Sequence, residues 1–243
     1  MTLFKDKSYW LIGASEGLGE ALAHALSASG VRVIVSARNA ERLEDVCAAL
    51  PGPSRAVRID VSDTDDVARA AREAGEVDGV VFLAGVYWPM SAQNWDADQA
   101  NAMADVNFSG AMRVMGAVVP QMVERGHGHI VLTGSLSGFR GLPGAIGYCA
   151  SKAGVMSLAE SMYADLRKSG VRVQLANPGF VRTRLTDKND FKMPFIMSPE
   201  AAAQEMMGLM RSKRFKKSFP RAFSLVFRGS QLLPDWLYYR LFA

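Results

Sequence analysis

Short, nearly continuous apolar runs alternate with amphipathic stretches along most of this chain. The runs at 8–12, 31–36, 56–61, 78–83, 130–133 and 171–177 are rich in Val, Ile and Leu. That length and composition predict strands, and the lack of polar alternation suits a parallel sheet covered on both faces. Between them, residues 20–29, 39–50, 63–74, 96–125 and 147–168 read as helices. Pro51-Gly52-Pro53 stops the second, and Asp63 is placed to cap the third. Ser198 before Pro199 opens a further helix, cap first and proline at its first position. Residues 215–219 supply a last strand. About seven strands separated by helices, with no internal repeat and no linker, predict one α/β domain built on a doubly wound, mostly parallel sheet.

The punctuation between these elements carries the chemistry. The first strand runs into Gly13-Ala-Ser15-Glu16-Gly17-Leu18-Gly19 and then a helix. A strand, a glycine turn and a helix start together make a phosphate site, because free N–H groups and the helix dipole face the anion. At the end of the second strand an acidic residue binds adenosine ribose hydroxyls, whereas an arginine accommodates a 2′-phosphate. Ala37 and Arg38 occupy those positions, which favours NADP(H) over NAD(H). Glu16 sits in the same glycine turn, where its charge opposes a phosphate. Asp60 and Val61 fall where an adenine ring would border, and Ala84-Gly85 allow close passage of a cofactor. Asn107 lies mid-helix, a poor place for an amide that competes for backbone hydrogen bonds, and it is placed to hold a local kink and a water.

Tyr148 and Lys152 are four apart and so share one helical face. An ammonium beside a phenol favours the phenolate and brings its pKa, ordinarily about 10, toward useful acid–base work. Ser135 lies across a glycine-rich turn from which its hydroxyl returns to the same place. Together they point to proton transfer to or from a substrate oxygen. Residues 180–197 are polar and irregular between a strand and a helix, which suits a substrate lid.

Composition and charge narrow the class. The chain has 243 residues, 49% of them apolar, and a net charge of +4. There is no apolar run long enough to span a bilayer and no signal-peptide pattern at the start. Cys47 and Cys149 are far apart, which predicts a reduced, cytoplasmic protein, with the tail leaving a peripheral membrane location open. Residues 206–243 hold eight Lys/Arg against Asp235 alone, a balance of +7 that leaves the rest at −3. Phe223, Val226 and Phe227 are expected to share one helical face, and a final short helix is expected after Pro234. Two placements compete for this tail: over the substrate cleft or against a partner subunit, or on an anionic membrane surface. No orderly nucleic-acid motif is present. His24, His127 and His129 read as structural, the last two in a glycine-rich turn, with no metal site; Cys149 reads as packing.

In combination, Gly13-x-x-x-Gly17-x-Gly19, Asn107, Ser135, Tyr148, Lys152, and Pro178-Gly179 followed by Thr183 resemble the short-chain dehydrogenase/reductase family over residues 8–219. The resemblance implies a Rossmann-type, three-layer α/β/α fold. Residues 1–219 would form the dinucleotide-binding and catalytic domain, and residues 220–243 an amphipathic helical extension of it. Tyr148 would be the acid in reduction and the base in oxidation. Lys152 would lower its pKa and bind the nicotinamide ribose. Ser135 would hold the substrate oxygen, and Asn107 would position a water in a relay to Lys152. Pro178, Gly179, Val181 and Thr183 would lie along the nicotinamide, with Ser15, Leu18 and the glycine turn on the phosphates. A homodimer or homotetramer is implied as well. Phe82-Leu83 and Ile12 depart from the family's common amides and threonine, which puts the details of cofactor binding in doubt. The expected activity is hydride transfer between NADP(H) and a carbonyl or secondary alcohol. Trp88, Phe180, Phe191, Phe195 and Ile196 suggest a hydrophobic substrate. The alternatives are a 3-oxoacyl carrier-protein reductase and a non-catalytic NADP(H)-binding regulatory or scaffold protein.

Overall fold

Seven parallel strands form one sheet in the order β3-β2-β1-β4-β5-β6-β7 in the computed structural model, which describes residues 4–242. The start of the chain, residues 1–3, and the last residue, 243, lie outside the described residues. The strands are β1 (Ser8–Ile12), β2 (Arg32–Ser36), β3 (Ser54–Ala56), β4 (Gly79–Phe82), β5 (Gly128–Thr133), β6 (Val171–Pro178) and β7 (Lys216–Phe219). The helices are α1 (Gly17–Ser27), α2 (Ala40–Ala49), α3 (Thr64–Ala74), α4 (Ala97–Ala104), α5 (Gly110–Glu124), α6 (Ile146–Leu166), α7 (Pro199–Met210), α8 (Arg221–Ser230) and α9 (Asp235–Phe242).

Alternation along each strand divides the core into two layers. Tyr9 and Leu11 of β1 pack with Leu22, Leu26, Val46, Met206 and Met210 from α1, α2 and α7. Trp10 and Ile12 point the other way, toward Val67, Val114, Val118 and Val155 of α3, α5 and α6. Both faces of the strands are therefore buried, which is why they read as apolar runs rather than as alternating ones. This is the Rossmann-like, three-layer architecture expected from the alternation of elements.

Three boundaries differ from expectation. The third strand ends at Ala56, where it was predicted to begin, although Val57 and Ile59 still donate to the Val35 and Ala37 carbonyls at 3.0 Å. It is an edge strand, so only alternate residues find a partner. The first helix begins at Gly17, inside the glycine turn, not after it. The single helix expected over 96–125 is interrupted by a π-helical turn, Asp105–Ser109, with Asn107 at its centre. The Gly110 N–H reaches back five residues to the Asp105 carbonyl, so the expected local distortion at the asparagine takes this form.

His129 lies in β5, not in a turn. It is buried and accepts the Tyr9 hydroxyl at Nδ1 (2.7 Å) while its Nε2 meets the Gln174 carbonyl oxygen at 2.9 Å. The Gln174 amide nitrogen is directed to the carbonyls of Leu209, Ser212 and Arg214, which leaves its oxygen to accept and fixes the proton on Nε2.

Candidate active site

A cleft of about 910 Å³ runs along the C-terminal ends of the central strands. At one end the chain leaves β1 through Gly13, with φ of +92°, and enters α1 at Gly17, with φ of +57°. Side chains rarely tolerate such backbone angles, so glycine is needed at both turns. Glu16 precedes α1 but its side chain makes no capping bond, so the amides of the first turn are left for an anion. Instead Glu16 pairs with Arg42 at 2.6 Å and with Arg184 at 2.7 Å. The glycine turn is thereby tied to the start of α2 and to the lid. Arg42 was not singled out from the sequence. It reaches the same cleft wall as Arg38 from the first turn of α2.

Asp60 and Val61 form the neighbouring wall. Burial works to raise the Asp60 carboxyl, but hydrogen bonds from Ser62 and the charges of Arg38 and Arg58 outweigh it and hold the group below its ordinary range.

At the other end stand Tyr148 and Lys152, in the first two turns of α6. The Lys152 ammonium is buried and donates to the Thr133 carbonyl at 2.9 Å. Its nitrogen lies 5.7 Å from the centre of the Tyr148 ring. Burial pushes Lys152 down to about 8. Burial also pushes the Tyr148 phenol up to about 12, against the opposing pull of the Ser135 hydroxyl. The expected lowering of Tyr148 by Lys152 is therefore not met. Both groups are desolvated, and the ammonium is directed at a carbonyl, not at the phenol. Ser135 caps the short turn Leu136–Gly138, and its Oγ lies 2.8 Å from the Ser137 Oγ. The ring of Tyr87 meets that of Tyr148 edge-on at 5.1 Å.

Asn107 is completely buried. Its Oδ1 accepts the Val86 N–H at 2.7 Å, and its Nδ2 donates to the Val86 carbonyl and to Ser151 Oγ, both at 3.0 Å. The side chain thus fastens the loop after β4 to α6. Both Nδ2 hydrogens are thereby used, and Oδ1 keeps one lone pair beside Gly85, on the side of Lys152. Ser151, hidden from sequence reasoning, is the partner that completes this clamp.

Every residue expected to contact the cofactor lines this cleft: the turn from Gly13 to Gly19 with Ser15, Glu16 and Leu18, then Arg38, Asp60, Val61, Ala84, Gly85, Tyr148, Lys152, Pro178, Gly179, Val181 and Thr183. Asn107 and Ser135 are not among its lining residues, but the Ser135 hydroxyl adjoins the Tyr148 phenol. The lid divides in two. Residues 183–188, mostly polar, face the cleft, where Lys188 donates to the Tyr87 carbonyl at 2.7 Å and lies 4.2 Å above the Trp88 ring. Phe180, Phe191 and Phe195 stand outside: Phe180 meets Phe191 edge-on and lies tilted against Phe223 of α8, on which Phe195 stacks. Of the aromatic residues expected to line a hydrophobic site, only Trp88 does so. Val226 also departs from expectation. It turns to solvent, 48% exposed, while Phe223 and Phe227 turn inward. Cys149 is buried, and burial raises its thiol. Among the described residues no group of three His, Cys, Asp or Glu side chains could hold a metal, and no helix is long and apolar enough to cross a membrane.

The chain is similar in sequence and in fold to known proteins. An uncharacterized oxidoreductase of Myxococcus xanthus is 39% identical over 234 residues, 93% of this chain and 92% of that protein. The structure of a short chain dehydrogenase from Burkholderia cenocepacia in complex with NADP superposes with a TM-score of 0.87 at 25% identity, covering 99% of both chains. A 3-oxoacyl-[acyl-carrier protein] reductase with bound NAD from Brucella melitensis shares the fold, with a TM-score of 0.80 at 24% identity over 88% of this chain and 90% of that one. Residues 7–193, which include most of the sheet and the end of the cleft that holds Tyr148 and Lys152, match the family model of short chain dehydrogenases, and on that match the chain belongs to the short-chain dehydrogenase/reductase family of oxidoreductases.

Proposed function

We propose that this protein is an NADP(H)-dependent reductase that converts a hydrophobic carbonyl compound to its secondary alcohol, with Tyr148 delivering the proton. One observation carries this: a single cleft joins the uncapped start of α1, beside Arg38 and Arg42, to the Tyr148 phenol, beside Ser135 and Lys152.

The residues fit a nicotinamide dinucleotide. The glycine turn leaves no room for side chains on the cleft floor: a Cβ at Gly17 would stand 2.8 Å from Thr183 Cγ2. Arg38 is exposed, lines the cleft and makes no hydrogen bond or ion pair among the described residues, which supports its use on a 2′-phosphate. Glu16, which would repel that phosphate, is held between two arginines. When bound, the cofactor supplies or receives the hydride, and the protein supplies orientation and electrostatics.

A phenol held at about 12 is protonated at neutral pH, which suits a donor in reduction. Its O–H would give the proton to the carbonyl oxygen of the substrate, leaving a phenolate. Ser135 releases Ser137 and donates to the same substrate oxygen. The Lys152 ammonium then stabilises the phenolate, and solvent returns the proton. Asn107 keeps the loop bearing Val86 against α6, so that Tyr87 and Trp88 form the apolar side of the substrate space. A 3-oxoacyl thioester falls within the same chemistry. A purely binding protein has no use for an ammonium and a protonated phenol placed so close together. Exposed Met112 and Val123 on α5 and Tyr163 on α6 support pairing of two or four copies through those helices.

The test is NADPH consumption, followed by absorbance, with a panel of lipophilic ketones, aldehydes and 3-oxoacyl thioesters. Turnover of at least one lipophilic carbonyl, faster with NADPH than with NADH by about tenfold or more, is expected. Binding of NADPH with no turnover of any carbonyl would refute the reductase assignment in favour of a binding function.

A further inference from the structure

The outer face of the two C-terminal helices takes no part in the cleft. On α8, Phe223 and Phe227 pack inward, while Leu225 and Val226 face solvent. On α9, Tyr238 is buried, with its hydroxyl on the Gly141 carbonyl and the Arg140 guanidinium 3.9 Å above its ring. Trp236, Tyr239 and Leu241 are left outside, Trp236 at 70% exposure. In the turn between the helices Leu232 is 88% exposed, the most of any large apolar side chain among the described residues. The patch continues into the lid, where Phe195 stacks on Phe223 at 5.5 Å and remains 59% exposed.

Its charge is one-sided. Arg221, Arg228 and Arg240 are exposed and make no ion pair among the described residues. The sole acid of residues 206–243, Asp235, is already paired with Arg140. We propose that the α8–α9 hairpin is a docking surface for an anionic lipid bilayer. Helices of ten and eight residues are too short to span, so they lie in the interface plane. Leu225, Leu232, Trp236 and Leu241 enter the boundary between headgroups and chains, Tyr239 sits at headgroup level, and the three arginines meet lipid phosphates. A second copy of the chain is a poorer occupant. A two-fold contact would set this patch against itself and bring six arginines together with no free acid from residues 206–243 to offset them.

The experiment is co-sedimentation of the full chain with vesicles of phosphatidylcholine alone or with about one third phosphatidylserine, at low and at high salt. Pelleting with the anionic vesicles only, lost at high salt, is expected. The double variant Leu232→Asp/Trp236→Glu should reduce partitioning by about tenfold or more while NADPH binding and thermal stability hold. Both substituted side chains are exposed, so the fold has no reason to fail. Protein left in the supernatant with anionic vesicles at low salt overturns the proposal, as does equal pelleting of the double variant. An oligomer in solution that the double variant splits, without vesicle binding by the parent chain, assigns the patch to a second copy and also overturns it. None of these readouts depends on turnover, so they stand apart from the fate of the reductase assignment.

Discussion

The Lys152 ammonium donates to the Thr133 carbonyl at 2.9 Å, at the end of β5, and not to Tyr148 four residues before it on the same helix. A buried cation is thereby anchored by one oxygen with no counter-charge, which is why burial brings it down to about 8. In the proposed reduction the ammonium is the useful form, because it would stabilise the phenolate that Tyr148 leaves behind. Since Lys152 is charged below about 8 and neutral above it, kcat/KM for carbonyl reduction should fall with rising pH through that value. Lys152→Met should lower kcat/KM by about a hundredfold or more and erase that alkaline limb, as a pH–rate profile of both proteins will show.

Asn107 joins three segments through one amide. Replacing it with Leu would leave the Val86 N–H and carbonyl without their partner inside the wall of the cleft. The expected cost is about 2–3 kcal/mol, the desolvation penalty of buried polar groups, read as a lower midpoint in chemical denaturation. Turnover should fall more than stability explains, because the loop carrying Tyr87 and Trp88 loses its anchor.

On the proposed NADP(H) reading, Arg38 and Glu16 act on the 2′-phosphate with opposite signs. Arg38→Asp removes the free guanidinium and places a carboxylate against the 2′-phosphate. Fluorescence titration should then show NADPH binding weakened by about ten- to a hundredfold, with NADH little changed. Equal losses for both cofactors would assign Arg38 to general packing instead.

The His129 network predicts how the fold responds to acid. Burial, with Arg172 adding to it, pushes His129 down to about 3, whereas an unfolded histidine titrates near 6.5. The folded state therefore binds fewer protons between those values. Its contribution is complete above about 6.5 and is lost as pH falls toward 3. Denaturation midpoints should decline below neutrality, and His129→Gln should flatten that slope even though its absolute stability is lower.

Features set by local spacing were legible in the sequence. The glycine turn, the Tyr148/Lys152 pair and the caps at Asp63 and Ser198 all follow from residues a few positions apart, and the strands declared themselves because both of their faces are covered. Features set by contacts between distant segments were not legible. Arg184 reaches Glu16 across 168 positions, Asn107 finds Ser151 on another helix, and Lys152 chooses Thr133 over Tyr148. The lid misled for a related reason: its aromatic residues are apolar wherever they sit, and only packing against Phe223 shows that they stand outside the cleft.

The proposed proton donor of this cleft is Tyr148, and Tyr148→Phe is the decisive variant. The substitution removes one oxygen and keeps the ring against Tyr87. NADPH should bind the variant as it binds the parent protein, while kcat for carbonyl reduction falls by about a hundredfold or more. Unchanged turnover in a variant that still binds NADPH would contradict the assignment outright.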